Sequence, residues 1–194
     1  MWSLHHGATL ALWAYFRVAH RLRVDGREKL PTQPPFVLVA NHASHMDALI
    51  LAASLSRSAR GATYPVAAGD FLFESAATSV LTALFMNALP IWRKRVTRHA
   101  LDDLRDRLVG GDCGFILFPE GARSRDGQLL PFKGGIGRLV AGTSIPVVPC
   151  WIEGAFRALP ADRKIPRLSR LDVRVGDPVR FSDLSNERET RDSI

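Results

Sequence analysis

The stretch FVLVANHASHMDALILAASLSRS, residues 36–58, decides the fold. Its opening, Phe36–Ala40, is a short apolar run with no polar face, which reads as a buried strand. From Asp47 onward, residues 47–58 carry a helical pattern. Between them lies the polar segment NHASHMD, Asn41 to Asp47. A strand that ends in polar residues and feeds a helix is where α/β proteins place their sites. Along the rest of the chain, short apolar runs recur at residues 64–68, 89–92, 114–118, 145–151 and 171–175, and helical patterns at 75–86, 97–109 and 134–141. This alternation predicts an α/β fold, with a mostly parallel or mixed central sheet flanked by helices. A basic loop, residues 157–174, leads to the final strand.

The chain has 194 residues. One domain of this length buries roughly 70% of the surface its unfolded form exposes and needs no staple to fold. The balance of 46% hydrophobic and 23% charged residues excludes collagen, disordered tails and disulfide scaffolds. Two cysteines, Cys113 and Cys150, read as buried reduced thiols and suggest a cytosolic setting. No cleavable signal peptide is expected from the first residues.

Residues 1–20 read as an N-terminal amphipathic segment, helical over 3–20, set apart from a main domain over residues 21–194. Its apolar run is far too short to cross a bilayer. Trp2, Leu10, Trp13 and Phe16, beside Arg17, Arg21 and Arg23, suit a helix lying in a membrane interface; packing against its own domain is the equal alternative. Lys and Arg total 26 against 19 acids, and 22 of the 26 are Arg. Such a surplus points to anionic partners: nucleic acid, an acidic membrane face or phosphorylated substrates. No groove-reading element accompanies it, so no nucleic-acid partner is expected.

In NHASHMD, His42 and Asp47 lie five residues apart. On one continuous helix they would sit about 140° apart, whereas a loop running into a helix start can fold them together. An Asp accepting from one imidazole nitrogen leaves the other as a base. His42, His45 and Asp47 could alternatively serve as metal ligands in a hydrolase; the expectation adopted is that there is no metal. A second motif, FPEGARS, Phe118 to Ser124, follows the 114–118 run. Gly121 lets backbone approach a ligand closely, and Arg123 offers a fork for phosphate or carboxylate. A third cluster, Ile91-Trp92-Arg93-Lys94-Arg95, delivers cations to the end of an apolar run, and Ile145-Pro146-Val147-Val148-Pro149 is an apolar strand with two prolines.

Taken in this order and spacing, these four blocks resemble the glycerolipid acyltransferase family, which includes the 1-acylglycerol-3-phosphate and lysophospholipid acyltransferases. The resemblance covers roughly residues 25–179. It implies that His42 is the general base and Asp47 its orienting carboxylate. Arg93 matches the acceptor-phosphate arginine; Glu120, Gly121 and Arg123 match the acceptor-binding loop; Lys133 looks like a basic residue often found after it. Pro146 and Pro149 match a structural block. Ala122 stands where the third block usually carries Thr, and Asn87 to Arg93 departs from the usual second block.

The expected reaction moves a fatty acyl group from a thioester donor to the hydroxyl of a lysophospholipid, 1-acylglycerol 3-phosphate first, in phospholipid biosynthesis. His42 takes the hydroxyl proton and returns it to the leaving thiol. Backbone N–H groups of the NHASHMD turn or the Gly121 turn are the candidates for holding the oxyanion. Residues 76–92 could line an acyl groove. No cofactor is needed beyond coenzyme A or acyl carrier protein as carrier of the thioester, the latter a candidate partner. The setting expected is peripheral, on the cytoplasmic face of a membrane.

Overall fold

The computed structural model describes residues 2–66 and 98–184. The expected strand at 89–92, the helix at 75–86, the acyl-groove residues and Arg93 all lie outside the described residues. Helix α1 spans Trp2–Ala19, β1 Arg23–Asp25, β2 Phe36–Ala40, α2 Asp47–Ser54, α3 Arg57–Gly61 and β3 Thr63–Pro65. Then follow α4 (Arg98–Val109), β4 (Gly114–Leu117), α5 (Gly135–Val140), β5 (Val147–Glu153), α6 (Ala155–Ala158) and β6 (Asp172–Val175).

Among the described residues the strands form a six-stranded sheet in the order β1-β6-β5-β2-β4-β3. At its centre β2 runs parallel to both neighbours, with Phe36 opposite Gly114 of β4 and Val37 opposite Val147 of β5. Strand β3 adds in parallel outside β4, β6 runs antiparallel to β5, and β1 lies parallel to β6. The sheet is therefore mixed and flanked by helices, as the alternation of patterns predicts.

Side chains alternate between the two faces because successive Cβ atoms on a strand point oppositely. Phe36, Leu38, Ile116, Val148 and Ile152 pack on one face with Phe16 of α1, Ile50 and Leu51 of α2, Ala59 of α3 and Ala155 of α6. Val37, Phe115, Leu117 and Val147 pack on the other with Leu104 and Leu108 of α4 and Leu139 of α5. The chain leaving β2 thus turns to one face and the chain leaving β4 to the other. The ends of two such strands are where open α/β sheets bind ligands.

Several elements depart from the sequence reading. The helix expected over 47–58 is two helices, because Leu55 turns extended and Ser56 caps α3, its Oγ accepting from Ala59 N at 3.2 Å. Strand β1 has no apolar run to mark it in the sequence, because its three residues lie at the sheet edge and bury little. Helix α1 has two unlike sides. Phe16 is buried in the core with Leu12 against it, one turn apart on one face, while Leu10 and Val18 are exposed. Phe16 is therefore no membrane-facing residue.

Cys113 and Cys150 are buried free thiols. Burial pushes Cys150 up to about 12 and Cys113 upward as well.

Candidate active site

The site begins where β2 leaves the sheet. Asn41 continues the β2–β5 ladder with its side chain: Nδ2 donates to Ile152 O at 3.0 Å and Oδ1 accepts from Ile152 N at 2.7 Å. The main chain is then free to turn. Asp47 is the first residue of α2 and is buried. Its Oδ2 reaches back over the turn and accepts from Ala43 N and Ser44 N, each at 2.8 Å, and from His42 Nδ1 at 2.9 Å. The five-residue spacing thus closes through a loop, and Asp47 orders that loop and the imidazole together. With the proton on Nδ1, the Nε2 lone pair is left as the base. His42 is 22% exposed at the side chain, so the base is reachable while its carboxylate is not.

The loop after β4 supplies the other half. The Phe118 ring stacks on the His42 imidazole, with centroids 4.0 Å apart and planes at 15°. Glu120 Oε1 accepts from His42 N at 2.6 Å, and Ser124 N donates to His42 O at 2.8 Å. Both backbone groups of His42 are therefore held by the FPEGARS loop. Glu120, expected among the acceptor ligands, has both carboxylate oxygens bonded to main chain. It is buried, and its second oxygen accepts from Leu130 N at 2.8 Å. A carboxylate with both oxygens on main-chain donors braces the two loops against each other.

Gly121 adopts the left-handed conformation, φ 64°, and a Cβ there would lie 2.7 Å from Lys133 Nζ. The bare backbone lets the Lys133 side chain lie across the turn, while Lys133 N donates to Pro119 O at 2.8 Å. Lys133 and Gly121 are thus brought together, twelve residues apart in sequence. Arg123 reaches the NHASHMD turn from the other side, its guanidinium against the His45 imidazole. His45 Nε2 donates to Ala161 O at 3.3 Å. Of the expected site residues, His42, Asp47, Glu120, Gly121, Arg123 and Lys133 gather around the ends of β2 and β4; Arg93 lies outside the described residues.

Two expectations meet the geometry differently. The N–H groups of His42, Ala43 and Ser44 are engaged by Glu120 and Asp47, and Gly121 N by Phe118 O at 3.0 Å, so these backbone donors are not offered to an oxyanion. For the metal reading, Asp47 is turned to His42 and His45 faces a guanidinium. Among the described residues no three His, Cys, Asp or Glu groups are placed to hold an ion. The metallohydrolase alternative has no support in this arrangement.

Sequence reasoning missed the parts played by Phe118, Ser44 and Asn41. Ser44 Oγ donates to Leu159 O at 2.7 Å and accepts from Met46 N at 3.1 Å, fixing the turn to the β5–β6 connection. The available signal was position: each lies inside, or directly beside, a strand-end motif.

The "Acyltransferase" family model matches residues 21–153, from before β1 to the end of β5. The chain belongs to the acyltransferase family. It is 27% identical over 180 residues to the mouse 1-acyl-sn-glycerol-3-phosphate acyltransferase alpha, covering 91% of this chain and 61% of that protein. It is 30% identical over 175 residues to a chloroplastic 1-acyl-sn-glycerol-3-phosphate acyltransferase of Brassica napus, covering 88% and 48%. The chain spans about half the length of the curated relatives it matches. Among solved structures, the 1-acyl-sn-glycerophosphate (LPA) acyltransferase PlsC from Thermotoga maritima superposes with a TM-score of 0.68 at 24% identity. That match covers 96% of this chain and 75% of PlsC, and establishes the shared fold.

Proposed function

We propose that this family member transfers a fatty acyl group from a thioester, on coenzyme A or an acyl carrier protein, to the hydroxyl of a lysophospholipid, with 1-acylglycerol 3-phosphate the first choice. The observation that carries the reading is the His42–Asp47 pair, closed at 2.9 Å with Nε2 left over, beside a loop that brings Arg123 against His45 and Lys133 against Gly121. An alcohol attacking a thioester must lose its proton as the C–O bond forms. His42 Nε2 accepts that proton, and Asp47 balances the imidazolium. Collapse of the tetrahedral intermediate expels the thiolate, which takes the proton back from His42. The balance needs no covalent acyl-enzyme. Arg123, Lys133 and Arg93 are the cations for the acceptor phosphate, and orienting the acceptor makes its attack effectively intramolecular. The names of the relatives support this acceptor.

Peripheral binding on the cytoplasmic face of a membrane belongs to the same reading, since both acceptor and product are lipids. No helix among the described residues is long and apolar enough to cross a membrane. Among the described side chains of α1, Leu10, Val18 and Tyr15 are exposed and available to an interface.

The test is a mass-spectrometric screen of lyso-lipid acceptors against labelled acyl-CoA and acyl-carrier donors. His42→Ala should lower turnover by about 10²–10⁴ with the circular dichroism unchanged. Near-normal turnover by the folded variant overturns the mechanism. Arg123→Lys keeps the charge but loses the fork, and should raise the acceptor KM more than the donor KM. Equal use of a phosphate-free acceptor by parent and variant would remove the phosphate clamp and leave acyl transfer standing.

A further inference from the structure

The β5–β6 connection is tied to the catalytic turn along one limb and to α1 along the other. Arg167 N donates to Ala158 O at 2.8 Å and closes the base of a loop, inside which Arg163 N donates to Pro160 O at 3.1 Å. The first limb carries the acceptors for the NHASHMD turn: Leu159 O for Ser44 Oγ at 2.7 Å and Ala161 O for His45 Nε2 at 3.3 Å. The second limb ends on α1, where His20 Nδ1 donates to Ser169 O at 2.9 Å and Leu171 N to His20 O at 3.0 Å.

Between these fixed ends the loop holds two aliphatic side chains out into solvent. Ile165 is 79% exposed and Leu168 77%. Across the His20–Ser169 joint, Val18 of α1 is 78% exposed, and Leu10 farther along that helix 67%. The cations are interleaved with the aliphatics: Lys164 and Arg167 are exposed, Arg163 is half-buried, and no acid lies between Asp162 and Asp172. Arg170 is the one cation of this run held by an acid, at 2.9 Å from Asp172. Aliphatic tips among long basic side chains match the layering of a bilayer surface, where apolar groups enter the acyl boundary and ammonium and guanidinium groups stay at the phosphates. An acidic carrier protein would answer the cations. An extended lipid surface answers the cations and also the exposed aliphatics of the loop and of α1.

We propose that the loop of residues 159–170 is a bilayer-docking element for an anionic leaflet. Ile165 and Leu168 insert, Lys164, Arg167 and Arg163 meet lipid phosphates, and the bonds from Ser44 and His45 hold the catalytic turn at a fixed height above the surface. This adds a second contact to the one assigned to α1. Its test reads binding alone, so its failure is separate from any failure of the acyl-transfer reading.

The experiment is flotation of the full chain with vesicles of phosphatidylcholine, with and without phosphatidylglycerol. Ile165→Ser with Leu168→Ser should lower the partition coefficient on anionic vesicles about tenfold or more, since two large aliphatic side chains lose their apolar site. Both positions are exposed, so the thermal melt should not move. Lys164→Gln and Arg167→Gln should each cost about fivefold at low salt, an effect that fades as salt is raised. Leu10→Ser with Val18→Ser should weaken binding independently, and the combined variant should lose both contributions. Parent-like vesicle binding by the Ile165/Leu168 variant overturns the proposal, as does a parent that does not bind anionic vesicles. Unchanged vesicle binding with lost capture by an immobilised acyl carrier protein overturns it too, and assigns the loop to a protein partner.

Discussion

His42 is held on its ring face by Phe118, at Nδ1 by Asp47, and at its backbone N and O by Glu120 and Ser124. What remains is Nε2 and the ring edge beside it. Pre-organisation of this kind removes the need to order the base during the reaction. Glu120 is the telling member, because its bond to His42 N ties it directly to the base. Glu120→Gln replaces one accepting oxygen with an NH₂ group and sets a donor against a donor, at either His42 N or Leu130 N. The expected cost is about 1–3 kcal/mol for the unsatisfied buried group. If Glu120 positions His42, kcat should fall while the acceptor KM stays within about twofold of the parent, since uniform substrate binding is untouched. A rise in acceptor KM at unchanged kcat would restore Glu120 to the acceptor ligands.

At the scale of elements, the site depends on β2 and β4 lying side by side in one register. Phe36 pairs with Gly114, and a Cβ on Gly114 would come within 2.5 Å of the Phe36 ring carbon Cζ. The ring fills the space that any side chain at 114 would need. Gly114→Ala should therefore destabilise the fold by about 1–3 kcal/mol through overpacking, read as a lower urea midpoint. The clash is with the ring, so Phe36→Leu in the Gly114→Ala background should recover part of that loss, which a double-mutant cycle measures. If the cycle is additive, the register of these two strands is not what limits the substitution.

For the whole molecule, two packed faces shield the thiols. Cys113 lies in the α4–α5 side of the core and Cys150 in the α1–α2 side. With Cys150 pushed from 9.0 to about 12 and Cys113 also raised, both stay protonated in the folded state where free thiols begin to ionise. Neither should react with an aromatic disulfide reagent at pH 8 until urea unfolds the chain, and both should then react together. The sign of the linked stability follows. The unfolded thiols ionise first as pH rises past 9.0, so the contribution is intact below that pH and is lost progressively as pH climbs toward about 12. Urea midpoints measured from pH 8 upward should fall across that window.

By itself the sequence determined which segments form the sheet and where chemistry sits along it. The apolar run Phe36–Ala40 is the observed strand β2, and NHASHMD and FPEGARS do follow adjacent strands. Strand identity is legible because continuous apolarity and polar punctuation are local properties. The His42–Asp47 pair was legible for the same reason, since five residues of loop bring the two together. Only the tertiary structure decided what Glu120, Phe118 and Phe16 do. A glutamate in a turn reads as solvated, and the donor that buries Glu120 is the N–H of a residue 78 positions away on another strand's loop. Phe16 sits on a helix read as amphipathic, whose apolar side suits a bilayer and a protein core equally, and only the packing against α2 and the sheet decides which of the two it meets. The 159–170 loop shows the same division. Its charges are plain in the sequence, whereas the exposure of Ile165 and Leu168 follows from the hydrogen bonds that fix both limbs and leave the tip with nothing to pack against.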